Sequence, residues 1–394
     1  MRVLISGMNA WHTGITAKEF NAMEALEALW ISNKNPGLPA DKYKRIWPYH
    51  LGMKPFYHAP FPYLEEKMRW RNLWLYDAWV RRQTLPEGVD VVQCPMGSCS
   101  PVFDLADKSG RRILKVYEAM NGHPTTQRGY WQREADIHSP GFVVPISQKV
   151  WSRMNREIYR ADCVLCPSTY VLESMVNNGV PREKCFLNPF GVDVSLFPRR
   201  KALPEPGVFK FVVTGNLTVR KGQQYLFEAF KKLHAEYPSA ELHSFGDPRP
   251  DFKGLYAQWK GFPNLYLHAS VSQKELGAFM AGCTAYVFPS LEEGFARSLL
   301  EAMSVGLPVI ATHESGATTL LPRESPMIIP PASTEAIYRI MKALCEDRDL
   351  LCRLSEESCS KFDVNNTWGA YAKRLLDGYQ ERVDEMRRTR DSAH

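Results

Sequence analysis

The sequence predicts an α/β protein of two domains, each a parallel sheet covered by helices, and three observations predict it. A length of 394 residues exceeds one ordinary core at about 100–200 residues per domain. Short β-branched or aliphatic runs alternate with helical patterns along most of the chain, the rhythm of βαβ units. That rhythm stops once, at Phe197-Pro-Arg-Arg-Lys-Ala-Leu-Pro-Glu-Pro-Gly207, where proline, charge and glycine replace any apolar period.

In the first half, Val3-Leu4-Ile5 reads as a buried strand, and Phe20, Met23, Leu26 and Trp30 at helical spacing predict a helix. Val89–Val92, Ile113–Tyr117 and Cys163-Val-Leu-Cys166 read as further strands, the last followed by a helix ending near Asn178-Gly179. After the break come strand Phe209–Thr214, helix Gln223–His234, strands Ala240–Phe245 and Leu265–Leu267, helix Gln273–Met280, and strands Ala285–Phe288 and Val309–Ala311. From Thr367, the apolar residues Trp368, Tyr371, Leu375, Leu376 and Tyr379 predict a closing amphipathic helix, with a frayed polar end after about Met386. The expected domains are 1–197, completed by the helix 367–386, and 208–366.

Composition narrows the function classes. Hydrophobic residues at 44% and charged residues at 23% suit a folded globular chain, and a net charge of +6 over this length gives nucleic-acid binding little support. Nine cysteines, an odd count, fit free thiols of a reducing compartment. The amino terminus lacks a signal-peptide pattern and no run approaches the roughly 18 apolar residues of a membrane span, so the expected location is cytoplasmic, peripheral at the inner membrane face at most. Residues 42–82 interleave Lys42, Lys44, Arg45, Lys67, Arg69, Arg71, Arg81 and Arg82 with Tyr43, Trp47, Trp70, Trp74, Tyr76 and Trp79. That mixture suits a membrane surface, an aromatic core or an acceptor groove. Neither a dinucleotide nor a P-loop glycine motif occurs, Cys163-x-x-Cys166 has no second pair at zinc spacing, and no Asp-x-Asp clamp stands in a suitable place. The expected site therefore has no metal and no cofactor beyond its substrate.

The most informative run is Val287-Phe-Pro-Ser-Leu-Glu-Glu-Gly-Phe-Ala-Arg-Ser-Leu-Leu-Glu301-Ala-Met-Ser-Val-Gly306-Leu-Pro-Val-Ile-Ala311: strand, tight loop, helix, glycine stop, strand. Glu293 and Gly294 fall at the carboxyl end of a strand, where open α/β sheets bind ligands, beside a helix start able to hold anions. Taken alone, Glu293 would be a helix-dipole residue and Glu301 a solvated one. Together they resemble the paired-glutamate signature of the retaining family 4 glycosyltransferases, glycosyl transferases group 1. Val212-Val-Thr-Gly215-Asn216-Leu-Thr-Val-Arg220-Lys221-Gly222 resembles that family's strand–glycine-loop–Lys-Gly block. Ala161-Asp162 with Pro167-Ser168, and Asn188-Pro-Phe-Gly-Val-Asp193 with Phe197, resemble its markers before the hinge.

The resemblance covers roughly residues 110–380 and implies the GT-B arrangement, two Rossmann-like domains facing across a cleft, with the last helix crossing back to the first. It implies a donor-binding second domain. There Glu293 and the main chain of Gly294, Phe295 and Ala296 hold the sugar, Glu301 the ribose, and Lys221 with Arg220 the diphosphate, in the loop of Gly215 and Asn216. Asn216 stands where the family has arginine and Ala296 where it has glycine, an exchange alanine tolerates in a helical conformation. His123, after the strand Ile113–Tyr117, matches a family histidine near the reacting centre. Gly7, His12 and Gly14, with Asn9 and Trp11, resemble the first-strand loop toward phosphate and acceptor. The implied reaction moves a sugar, with retention and without metal, from a nucleoside-diphosphate sugar to a hydroxyl of a glycan, lipid-linked or small-molecule acceptor. A catalytically silent nucleotide-sugar binder and a nucleotide-sugar epimerase are the alternatives.

Overall fold

The computed structural model describes residues 1–8, 12–32, 34–46, 62–142, 144 and 146–391, with the side chains of 62–66, 69, 364 and 389–391 left aside. Two wholly parallel sheets organise it. The first holds β1 (Val3–Gly7), β2 (Leu26–Ile31), β3 (Tyr43–Arg45), β4 (Val91–Pro95), β5 (Leu114–Glu118), β6 (Cys163–Cys166) and β7 (Cys185–Leu187), in the order β3-β2-β1-β4-β5-β6-β7. The second holds β8 (Lys210–Thr214), β9 (Glu241–Phe245), β10 (Leu265–His268), β11 (Ala285–Phe288), β12 (Val309–Thr312) and β13 (Ile328–Ile329), in the order β10-β9-β8-β11-β12-β13. Both are doubly wound Rossmann-like sheets whose order reverses beside the first strand, and that reversal opens a crevice at the carboxyl edge. Helices cover both faces, which is why the strands are unbroken apolar runs: Val3, Leu4 and Ile5 are all 0% exposed.

One element differs from the pattern-based expectation. The helix Thr13–Ala22 stops early, and Leu26 and Trp30 lie in β2, paired with β1. Leu26-Glu-Ala-Leu-Trp-Ile supplies apolar side chains to both sides of a buried strand, and a spacing of four satisfies a helix and a strand alike.

The chain crosses between the sheets twice, and the crossings lie side by side. Val192 bridges Thr367 in parallel, and its N–H donates to Asn366 O at 2.8 Å. Arg374 staples the pair, donating to Asn188 Oδ1 at 2.7 Å and Pro189 O at 2.9 Å. The last helix, Trp368–Asp391, then packs on the first domain. It runs past the expected end at Met386, anchored by Arg387 on Asp90 at 3.0 Å. Tyr371, Leu375 and Tyr379 are fully buried, with Tyr379 Oη on Gln93 Oε1 at 3.1 Å.

Because this helix closes the first core, Tyr379→Ala should cost about 3–5 kcal/mol in denaturant unfolding, whereas Ile137→Ala, at a side chain 60% exposed, should stay within about 0.5 kcal/mol. Equal losses would contradict the burial assigned to the helix.

Candidate active site between the domains

The carboxyl edges of the two sheets face each other, so the loops after β5 and β6 meet those after β8, β11 and β12. The approach is closest at Gly294, where a Cβ atom would fall 1.8 Å from Met120 O, and only glycine lets the two backbones touch. Ser168 Oγ donates to Gly294 O at 2.5 Å, and Thr169 N to Thr319 Oγ1 at 2.9 Å. On the other flank, Tyr225 Oη donates to Glu134 Oε2 at 2.7 Å, and Trp131 Nε1 to Asp251 Oδ2 at 3.3 Å.

Between these flanks lies a group of four charges. Lys221 Nζ sits 2.5 Å from Glu293 Oε2 and 4.8 Å from the centre of the Phe288 ring. Arg220 Nη1 lies 3.4 Å from both Glu293 Oε2 and Glu292 Oε2, and also donates to Glu292 O. Their positions follow from local chain geometry. The short turn Val219–Lys221 ends at Gly222 (φ 71°), whose Cβ would fall 2.1 Å from Pro289 O, so the loops after β8 and β11 are pressed together at the reversal of strand order. Gly215 lies beside them, with Lys221 Nζ 3.7 Å from where its Cβ would be. Asn216 accepts from Gln223 Nε2 through its main-chain oxygen at 3.4 Å.

Burial raises the carboxyl of Glu293, but the nearby Lys221 and Arg220 charges outweigh it and hold that carboxyl below its usual range. Burial also holds the Lys221 ammonium below its usual value, with Glu293 opposing. Burial works on Glu301, only 8% exposed, in the upward direction, with Arg297 opposing; Gln273 Nε2 approaches its Oε1 at 3.5 Å.

The helix Arg297–Val305 begins at Ala296 with no side-chain cap and ends at Gly306 in the left-handed region. Ala296 is extended (φ −75°, ψ 97°), not helical as the sequence reading required. This is ordinary backbone for alanine, so the exchange from glycine brings no strain there. Its N–H donates to Ser315 O at 3.0 Å, and that of Glu293 to Glu314 O at 2.9 Å. These two amides are therefore engaged within the protein.

His123 is 3% exposed and caps the helix Pro124–His138, its Nδ1 accepting from Thr125 N at 3.3 Å. That bond leaves the proton on Nε2, which is buried with no partner among the described residues. Burial lowers the imidazole to about 4, so it is neutral at physiological pH. His12 is placed differently: 2% exposed, its Nε2 lies 2.5 Å from Glu118 Oε1 and its ring centre 4.3 Å from that of Phe190, a buried packing position. Gly7 lies inside β1 and Gly14 inside the first helix, while Asn9 and Trp11 fall outside the described residues.

Three residues escaped the sequence reading. Glu292, 0% exposed, accepts from Gly122 N at 3.0 Å and Asn121 Nδ2 at 3.1 Å, tying the loop that carries His123 to Arg220. Glu314 and Tyr170, both nearly buried, leave Oε2 and Oη without partners among the described residues. An acidic doublet at 292–293 and a glutamate just past β12 were visible signals; Tyr170 offered none.

Two facing Rossmann-like domains with a charged crevice at the strand ends define the class. Residues 208–347, in the second domain, match the family model Glycosyl transferases group 1. An uncharacterized glycosyltransferase of Methanocaldococcus jannaschii is 36% identical over 106 residues, 26% of either chain. The MMP alpha-(1->4)-mannosyltransferase of Mycolicibacterium hassiacum is 21% identical over 257 residues, 64% of this chain and 60% of its own. The chain thus spans well under two thirds of the first relative and about 60% of the second. In overall fold it is similar to the sucrose-phosphate synthase of Thermosynechococcus elongatus (TM-score 0.68, 16% identity, 97% of this chain and 99% of that one). It is equally similar to Anabaena HepE crystallised with UDP and glucose (TM-score 0.67, 15% identity, 97% and 100%). The fold is GT-B.

Burial raises the Glu292 carboxyl against the opposing Arg220 charge, so its ionised form is costly in the fold. Glu292→Gln should therefore change stability by less than about 1 kcal/mol, whereas Glu292→Ala, which strands Gly122 N, should lose about 2 kcal/mol or more. Equal losses in denaturant titrations would contradict the assigned hydrogen bonds. For His123, the folded state binds its proton near 4 and the unfolded state near 6.5. Its contribution is complete above about pH 6.5 and is lost as pH falls toward 4. Thermal midpoints should fall through that window and flatten in His123→Gln; an unchanged profile would mean the imidazole is not buried neutral.

Proposed function

We propose that the chain is a retaining glycosyltransferase that moves a sugar from a nucleoside-diphosphate sugar to an acceptor hydroxyl, without a metal ion. The observation that carries this reading is the convergence of Lys221 and Arg220 on Glu293, beside an uncapped helix start and opposite a neutral buried histidine. Two cations and a helix amino terminus are what a departing diphosphate requires when no metal neutralises it.

In the empty site the Glu293 carboxylate occupies the anion position of Lys221. An arriving diphosphate takes that position, and Glu293 turns to the sugar hydroxyls. The Nε2–H of His123 donates to a sugar oxygen from the first domain, and Glu301 accepts from the ribose hydroxyls. Tyr170 Oη and Glu314 Oε2 offer further hydroxyl partners at the seam. With cations on the leaving side and no nucleophile assigned among the described residues, the acceptor attacks the face that the diphosphate leaves. The phosphate oxygen takes the acceptor's proton. Closed flanks exclude water, the competing acceptor.

The acceptor is a hydroxyl of a glycan, a lipid-linked sugar or a small molecule, bound from the first domain. On this reading the reaction belongs to the cytoplasm, and a lipid-linked acceptor would bring it to the inner membrane face. HepE's co-crystallisation with UDP and glucose makes a uridine nucleotide the first donor to test.

Calorimetric titration with uridine, guanosine and adenosine diphosphates, followed by product analysis with the sugar nucleotide of the tightest binder, tests the proposal. Lys221→Ala should weaken diphosphate binding by on the order of tenfold or more, about the worth of a charge-assisted contact. The product should keep the donor's anomeric configuration. Undiminished binding in Lys221→Ala would refute the phosphate assignment, and an epimerised nucleotide or binding without turnover would refute the transferase.

A further inference from the structure

The helix Pro62–Val80 turns two faces in opposite directions. Positions 72, 73, 76 and 80, on one side of the helix, carry Asn, Leu, Tyr and Val, all at most 2% exposed. Tyr76 Oη fixes this face on the first sheet through Ser6 Oγ at 2.9 Å and Ser98 O at 3.1 Å. Positions 67, 70, 71 and 74 form the other face and carry Lys, Trp, Arg and Trp. Trp70 is 39% exposed and Trp74 62%. Lys149, on the helix Gln148–Arg160, has its Nζ 5.9 Å from the Trp70 ring centre, and Arg82 is exposed just beyond the end of the helix Pro62–Val80.

Among the described side chains, the nearby aspartates Asp77 and Asp104 are paired. Asp77 holds Arg153 at 2.6 Å, and Asp104 holds Arg160 at 2.9 Å and Arg81 at 3.4 Å. The outer face carries Lys67 and Arg71 with two exposed indoles one helical turn apart, and Lys149 and Arg82 beside them; the side chains of Glu65 and Glu66 on the same helix lie outside the described ones. Two copies of a cationic face repel each other, which disfavours self-association. A nucleic acid matches the charge but has no apolar layer to receive a pair of indoles on a convex helix. An anionic bilayer offers both, an outer plane of negative charge and an apolar layer a few ångströms beneath it, where tryptophan is at home.

We infer that the face of Lys67, Trp70, Arg71 and Trp74, extended by Lys149 and Arg82, docks the chain on an anionic membrane surface. Contact is peripheral, since among the described residues no helix is long and apolar enough to cross a membrane. Trp47 and the residues up to 61, in the same basic and aromatic stretch, lie outside the described residues. The docking is independent of the transfer chemistry, and its failure would leave the donor site untouched.

The test is co-sedimentation of the full chain with phosphatidylcholine vesicles, with and without phosphatidylglycerol, at low and high salt. The chain should pellet with anionic vesicles only and be released by salt. Trp70→Ala/Trp74→Ala and Lys67→Glu/Arg71→Glu should each lower partitioning by on the order of tenfold or more while leaving thermal midpoints and diphosphate binding unchanged. Indole emission should be quenched by brominated lipid in the parent chain and much less in the double tryptophan variant. An unbound parent chain, equal binding by the variants, or a doubled mass in light scattering that the tryptophan variant abolishes would each overturn the inference.

Discussion

Four charges taken partly out of water at the meeting of two domains are the constraint around which the rest of this molecule is arranged. Glu292, Glu293, Arg220 and Lys221 stand within 3.4 Å of one another's partners in a seam where Glu292 is fully buried. Removing one member of such a group leaves the others without the charge or hydrogen bond that offsets their burial. The group therefore holds only while the loops after β8 and β11 of the second sheet meet at one point. The reversal of strand order beside β8 brings the loops after β8 and β11 together, and Gly222 and Gly294 let backbones pass where any side chain would collide.

The two glutamates divide the work between them. Glu292 faces the first domain and accepts from Asn121 and Gly122, so it fixes the loop from which His123 enters the seam. Glu293 faces the cations of its own domain. In the proposed cycle the first is a strut and the second a placeholder, exchanging Lys221 for sugar when a diphosphate arrives. The same arrangement links substrate to domain closure: Arg220 touches both glutamates, so an anion that draws it away from one loosens its hold on the other.

Much of this was legible in the residues. Unbroken apolar runs announced parallel strands, and the Pro- and Gly-rich stretch at 197–207 announced the break between sheets. The signature from Glu293 to Glu301 was readable because its tight loop, helix start and glycine stop each have a local physical cause. What escaped depended on long-range geometry. Leu26 and Trp30 share a spacing that suits either element, and only pairing with β1 decides it. Glu292 looked like an acidic neighbour because its partners lie about 170 positions away, at Asn121 and Gly122. His12 looked like a loop residue facing a ligand, yet Glu118, on β5, holds it inside the fold. The basic and aromatic stretch was equally open until burial sorted Leu73 and Tyr76 inward and Trp70 and Trp74 outward.

The claim on which the account turns is that Glu293 keeps the place of the donor's phosphate. A crystal structure with a bound nucleoside diphosphate tests it most directly, through the separation of Glu293 Oε2 and Lys221 Nζ, 2.5 Å in the empty site. The account predicts that a phosphate oxygen lies against Lys221 and that the glutamate has moved beyond ion-pair distance. A diphosphate bound elsewhere, with the Lys221–Glu293 pair intact, would contradict it.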